Sequence, residues 1–81
     1  MKFFCVYILE SLRTDGKYYV GYTEDLKDRL RRHNGGETPH TSKFRPWKLK
    51  TAVAFADQTQ ALHFEQYLKT ASGRAFAKRR L

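Results

Sequence analysis

YYVGYTEDLKDRLRRHN, residues 18–34, runs without a gap from an aromatic strand through a glycine into a helix. Tyr18 to Tyr22 are strand formers. Thr23 reads as the N-cap, and Glu24 and Asp25 place negative charge in the first helical turn. The helix continues to about Asn34, where Gly35 and Gly36 stop it. Leu26 and Leu30 stand one turn apart, and so do Arg29 and His33, so the polar pair projects beside the apolar stripe rather than opposite it. Packing alone does not need an arginine and a histidine there. Lys27, Arg31 and Arg32 fall elsewhere and read as a solvated charged face.

Outward from this stretch the chain reads as one small fold. FFCVYIL, residues 3–9, is β-branched and aromatic with no breakers, the pattern of a buried central strand. The N-terminal MKFFCVYILES has the outline of a short signal peptide, but Glu10 ends the run and no A-x-A-like cleavage site follows, so a strand is the better reading. RTDGK, residues 13–17, carries an Asp-Gly turn signal that joins the two strands into an antiparallel hairpin. GGETPHTSKFRP, residues 35–46, reads as a polar loop exposing His40, Lys43 and Arg45, and WKLKTAVAF, residues 47–55, as a third strand. Asp57 caps a second helix that runs to about Thr70; Ser72 or Gly73 then punctuates before a short basic helix, RAFAKRRL. The order β-β-α-β-α-α predicts an α+β fold, a small three-stranded antiparallel sheet flanked by helices, with residues 1–81 as a single domain.

Composition bounds what such a fold does. The chain has 81 residues, enough for one modest core. Hydrophobic residues make up 41%, with six Phe, five Tyr and one Trp, which excludes a disordered chain. Stability in a chain this size is only a few kcal/mol, on the order of 0.1 kcal/mol per residue, so a buried charge needs a reason. Sixteen Lys and Arg against eight Asp and Glu give a formal charge of +8, which attracts polyanions, nucleic acid first and anionic membrane second. The single cysteine, Cys5, excludes an internal disulfide framework and fits a reducing, cytoplasmic setting. No apolar stretch approaches membrane-spanning length.

Few residues outside the first helix are candidates for chemistry. On the second helix Ala61, Leu62, Phe64 and Leu68 define the buried side, and Glu65 sits within that stripe. A carboxylate in that position is half-exposed at the edge, paired with a cation, or holding a metal. Tyr7 and Tyr19 lie on strands predicted to be neighbours, where tyrosine is also an ordinary packing residue; Tyr18 and Tyr22 have no stronger claim. His40 and His63 lack ligand spacing with another His or Cys, so no zinc site is indicated. HNGGET follows a helix and lacks a Lys-Ser/Thr ending, so it is no phosphate-binding P-loop.

The combination in order is more specific than its parts. CVY at 5–7, YVG at 19–21, Arg29, His33 and then Glu65 on a later helix resemble the GIY-YIG nuclease family, in its small stand-alone bacterial form. The resemblance covers nearly the whole chain and implies that family's fold and reaction, hydrolysis of phosphodiester bonds. Two positions depart from the family pattern. Cys5 stands where the first motif usually begins with glycine, and TASGRAFAKRRL has no asparagine where many active members carry one. Ser72 and Arg74 are the candidates to replace it.

The resemblance implies a role for each residue. Glu65 matches the carboxylate that holds a single divalent ion, Mg²⁺ or Mn²⁺, a hard cation that keeps several waters. Arg29 matches the arginine that takes the phosphate. Tyr7 and Tyr19 would deprotonate or orient the attacking water, with Tyr7 preferred as the base, and His33 would hydrogen-bond a tyrosine hydroxyl or relay its proton. Gly21 would let the substrate backbone approach at the turn. Lys43, Arg45, Lys48, Arg74, Lys78 and Arg79 would grip flanking phosphates without reading sequence. The function so implied is a metal-dependent, structure-selective or weakly specific endonuclease acting on DNA ahead of RNA, in repair or processing, with a protein partner as one source of specificity. The alternatives are a nucleic-acid-binding module without turnover and a protein-interaction module.

Overall fold

A computed structural model describes residues 2–81. The breaker-free run near the N-terminus forms β1, Phe4–Ser11, and the tyrosine-rich run forms β2, Tyr18–Thr23. The turn between them needs Gly16, whose φ of 75° is a conformation that favours glycine. β3, Trp47–Phe55, pairs antiparallel with the other edge of β1, giving the sheet order β2-β1-β3. β1 is therefore central, which is why its sequence carries apolar residues on both faces. Val6 and Ile8 point one way, into a core with Ala61 and Leu68; Tyr7 and Leu9 point the other, against Trp47.

Helices cover both faces. α1, Leu26–Asn34, lays Leu26 and Leu30 on the Tyr7 side. Its N-cap is Asp25, whose side chain accepts from Asp28 N at 3.1 Å, and not Thr23. Thr23 is still the last strand residue; its hydroxyl accepts from Asp25 N at 3.0 Å and so shapes the turn before the helix. α3, Gln58–Leu68, is capped by Asp57 as its sequence predicts, the carboxylate accepting from Gln60 N at 2.9 Å. α4, Ala71–Arg80, joins α3 on the Val6 and Ile8 side, where Phe64 and Ala77 pack on the core.

Two segments differ from the sequence expectation. The 35–46 loop contains a single helical turn, α2, Pro39–Ser42, with Thr41 buried inside it. The break between the last two helices falls at Thr70 rather than at Ser72 or Gly73. Thr70 is the N-cap of α4, accepting from Gly73 N at 3.0 Å. Gly73 lies within α4 because its missing Cβ leaves room for the Tyr67 carbonyl at the end of α3. Among the described residues no helix is long and apolar enough to cross a membrane.

Candidate functional site

The antiparallel register places Tyr7 directly opposite Gly21 and Leu9 opposite Tyr19. Residues two apart on paired strands share a face, so Tyr7 and Tyr19 come together, with ring centroids 6.3 Å apart. α1 lies over the same face and delivers His33 to both rings, 6.0 Å from Tyr7 and 4.8 Å from Tyr19 between centroids. Gly21 matters differently from the sequence expectation. The space beside its Cα is filled by the Tyr7 ring rather than open to a substrate backbone.

Tyr7 and His33 are both fully buried and are joined by a hydrogen bond of 3.0 Å between the Tyr7 hydroxyl and His33 Nε2. On its other side His33 Nδ1 lies 2.8 Å from Thr41 Oγ1, and Thr41 Oγ1 lies 3.3 Å from the Thr38 carbonyl. A carbonyl only accepts, so Thr41 donates to Thr38, Nδ1–H donates to Thr41, and Nε2 is left to accept from Tyr7. The network thereby sets one neutral tautomer. Trp47 Nε1 donates to the Thr41 carbonyl at 2.9 Å and fixes the α2 turn that carries this hydroxyl. Asn34 holds the same tryptophan, its Oδ1 accepting from Trp47 N at 2.6 Å.

Burial, with the charge of Arg29 adding to it, holds His33 below the usual imidazole value of 6.5. Burial also pushes the Tyr7 phenol above its usual 10; Arg29 beside it offsets part of the rise, and Tyr19 and Glu65 add to it. The preferred base of the sequence reading is thus held as a neutral phenol. Arg29 itself is half-buried on α1, and the Tyr7 hydroxyl beside it is the main influence favouring its charged form. Its Nε is buried and has no hydrogen-bond acceptor. A buried donor without a partner costs about 1–3 kcal/mol, more on a charged group.

Glu65 on α3 is near enough to the Tyr7 phenol to act on it electrostatically. Its side chain is 14% exposed and pairs with Lys69 Nζ at 3.2 Å, one turn along the helix. Lys69 was not singled out by the sequence reading, although the Glu-to-Lys spacing of four is visible there. Among the described residues no three His, Cys, Asp or Glu side chains gather as metal ligands. A tetrahedral nitrogen and sulfur site is therefore not built, whereas one carboxylate suits a hard Mg²⁺ or Mn²⁺ ion that takes its other ligands from water and phosphate. Lys69 now neutralises that carboxylate, so an ion there would have to displace or repel it.

The six basic residues expected to grip flanking phosphates come from separate elements. Lys43 and Arg45 lie around α2, and Lys48 on β3 pairs with Glu10 at 3.6 Å. Arg74 and Lys78 line a groove on the α4 side, which Arg79 does not reach. Ser72 is exposed on α4 and does not take part in the Tyr7–His33 network. Thr41 and Asn34 were missed: their roles depend on contacts across the loop, and only Thr38-Pro39, a helix-start signal, marked the segment.

Comparison with known proteins identifies the family. Residues 3–80 match the family profile of the GIY-YIG catalytic domain. The chain is 42% identical over 69 residues to the structure-specific endonuclease subunit slx1 of Schizosaccharomyces pombe, covering 78% of this chain and 26% of that protein. It is 44% identical over 71 residues to the structure-specific endonuclease subunit SLX1 homolog 1 of Trypanosoma cruzi, covering 79% of this chain and 13% of that protein. A UPF0213 protein of Streptococcus pneumoniae is 42% identical over 65 residues, 79% of this chain and 64% of its own length. The chain thus spans a minor part of the endonuclease subunits and under two thirds of the bacterial protein. The solution NMR structure of a UPF0213 protein from Bacillus halodurans superposes with a TM-score of 0.56 at 33% identity, covering 96% of this chain and 81% of that one. The chain belongs to the GIY-YIG family.

Proposed function

We propose that this GIY-YIG chain is a divalent-metal-dependent endonuclease that hydrolyses phosphodiester bonds in DNA, selecting its substrate by structure rather than by sequence. The observation that carries the reading is the buried Nε of Arg29, which has no hydrogen-bond partner although the guanidinium is near enough to the Tyr7 and Tyr19 phenols to feel both. A desolvated guanidinium donor with no acceptor in the protein is built for an anion that arrives with the substrate. Arg29 would take a non-bridging phosphate oxygen, where charge grows in the transition state. Tyr19, half-buried at the mouth of the cluster, would orient the attacking water.

The neutral Tyr7 phenol can still move a proton. Its oxygen is buried, so it would accept a proton from the water only once bound substrate admits the water to it. Its own proton would pass to His33 Nε2 at 3.0 Å, so that no free phenolate accumulates. The water oxygen then bonds to phosphorus, the bond to the leaving oxygen breaks and that oxygen takes a proton from solvent, while the imidazolium returns its proton through the Tyr7 hydroxyl. Glu65 would hold Mg²⁺ or Mn²⁺, which supplies Lewis-acid stabilisation of the phosphate and the leaving oxygen. A site that activates water has no need of a 2′-hydroxyl, so DNA can serve as its substrate. The word subunit in the names of two relatives supports a protein partner as the source of specificity. A role in DNA repair or processing and a cytoplasmic setting complete the reading.

The test is cleavage of labelled single-stranded, flapped and branched DNA and matched RNA, with Mg²⁺ or Mn²⁺ and with chelator. The protein and Glu65→Gln are purified side by side. Metal-dependent cleavage that is lost in Glu65→Gln supports the reading; equal inertness of both refutes it for these substrates. A second reading, a binding module without turnover, draws on Lys69 occupying Glu65 and on the missing asparagine. It predicts binding that survives Glu65→Gln with no cleavage by either protein.

A further inference from the structure

The β1–β2 hairpin, including Tyr19 of the candidate site, and α4 leave a groove of about 790 Å³ between them. Its floor is apolar, made by Ile8, Val20, Leu68 and Ala77. Its walls are cationic. Lys50 comes from β3, and Arg74 and Lys78 stand one turn apart on α4; no Asp or Glu lines the space. Among the described residues none of these three has a carboxylate within ion-pair distance, although the protein forms such pairs elsewhere. Converging, unneutralised cations repel one another until an anion enters. Tyr18 lies at the rim, 48% exposed, with Lys50 Nζ 5.9 Å from its ring centroid.

Lys69 also lines the groove, and it is the residue that pairs with Glu65. The groove thus opens toward the carboxylate of the candidate site. We propose that it binds a single strand of nucleic acid. The phosphates lie on Lys50, Arg74 and Lys78, one unpaired base lies against Tyr18 and the apolar floor, and the strand continues past Lys69 toward Glu65. A duplex presents phosphates outward but keeps its bases stacked, so it would use the walls and leave the floor and Tyr18 idle. A single strand offers both regular negative charge and flat apolar bases, the two properties this surface combines. The direction of the strand rests on the nuclease reading; the binding itself does not.

The test is fluorescence anisotropy with a labelled oligo-dT of about 12 nucleotides, a length within single-strand site sizes, and a duplex of equal length. Chelator is present so that nothing is cleaved. The chain is compared with Lys50→Ala/Arg74→Ala, with Tyr18→Ala, and with Arg13→Ala/Lys27→Ala as a charge-matched control outside the groove. The groove pair is expected to reduce the single-strand salt slope by about 1.4, two contacts at roughly 0.7 each. Tyr18→Ala is expected to weaken oligo-dT about tenfold while leaving the duplex nearly unchanged. All these side chains are exposed, and an unchanged melting curve checks each fold.

The proposal is overturned if the control pair weakens oligo-dT as much as the groove pair. It is equally overturned if Tyr18→Ala has no effect and polyglutamate displaces the strand as readily as unlabelled oligo-dT does, since the groove would then bind any acidic polymer. The same proteins are assayed for metal-dependent cleavage of a flapped DNA. Groove-dependent binding without cleavage by the parent upholds the groove and rejects the nuclease; cleavage with binding indifferent to the groove variants does the reverse.

Discussion

The ring of Tyr7 lies over Gly21, its partner across the β1–β2 ladder, in the space a Cβ at position 21 would need. The glycine therefore serves the tyrosine. Gly21→Ala is expected to displace a fully buried ring, destabilising the fold by about 1–3 kcal/mol, as overpacking does. It should also break the Tyr7–His33 bond and lower cleavage at least tenfold. Adding Tyr7→Ala should relieve the clash, so that the double variant is more stable than the sum of the single changes predicts. Urea denaturation of the four proteins measures this coupling, and strict additivity would refute the contact.

His33 is buried neutral and its value is held low, so the unfolded chain binds a proton that the folded one resists. Stability is then fully present above about 6.5, the unfolded imidazole value, and falls as pH drops through the folded value. Tyr7 acts at the other end. Its folded value is raised, so its contribution is present below about 10 and is lost as pH climbs through the folded value. A plateau between these limits is expected in denaturation midpoints measured from pH 5 to 11. His33→Gln should flatten the acid side alone; an unchanged acid limb would show that other groups govern it.

Arg29 separates stability from activity. Arg29→Met keeps an unbranched apolar stem but removes the orphaned Nε. The fold is expected to lose nothing and to gain up to about 1–3 kcal/mol, while cleavage falls by on the order of 10³. Arg29→Lys should restore little, because an ammonium lacks the planar donors. Parallel chemical denaturation and single-turnover cleavage decide it. A large stability loss in Arg29→Met would mark the residue as structural.

Thr41 is expected to act through His33. Thr41→Val keeps the shape at a buried position but leaves Nδ1–H with no acceptor, which costs about 1–3 kcal/mol. Freed of its tautomer, His33 should relay protons less well, and the pH profile of cleavage should shift while substrate affinity stays the same. Thr41→Ser retains the oxygen and should restore both properties. If serine fails as valine does, the hydroxyl is not what matters.

Local signals carried most of the architecture. The Asp-Gly turn, the breaker-free β1 and the Asp57 cap each act over a few residues, and each stands in the structure where the sequence puts it. The α3–α4 break was misplaced because the same Thr70 reads as a helix end or a helix start. Only the close packing of Gly73 on the Tyr67 carbonyl decides between them. The site shows the same divide. Arg29 and His33 share a helix face by spacing alone, but the Tyr7–His33 bond joins residues 26 apart in the chain. The Thr41 contact depends on a single-turn helix too short for periodicity to reveal.

Lys69 sits where two demands oppose each other, since it neutralises Glu65 at 3.2 Å and also lines the groove. An ion arriving at Glu65 must displace or repel this ammonium. Removing it with Lys69→Met should tighten Mn²⁺ binding by the protein alone, roughly several-fold at low ionic strength and less as salt screens the pair. The same change should weaken oligo-dT, because one phosphate contact is lost. Opposite signs in Mn²⁺ titration by electron paramagnetic resonance and in strand anisotropy are the expected result. A variant that loses affinity for both would mean that Lys69 orients Glu65 rather than competing for it, and the carboxylate would then need its lysine to hold a metal at all.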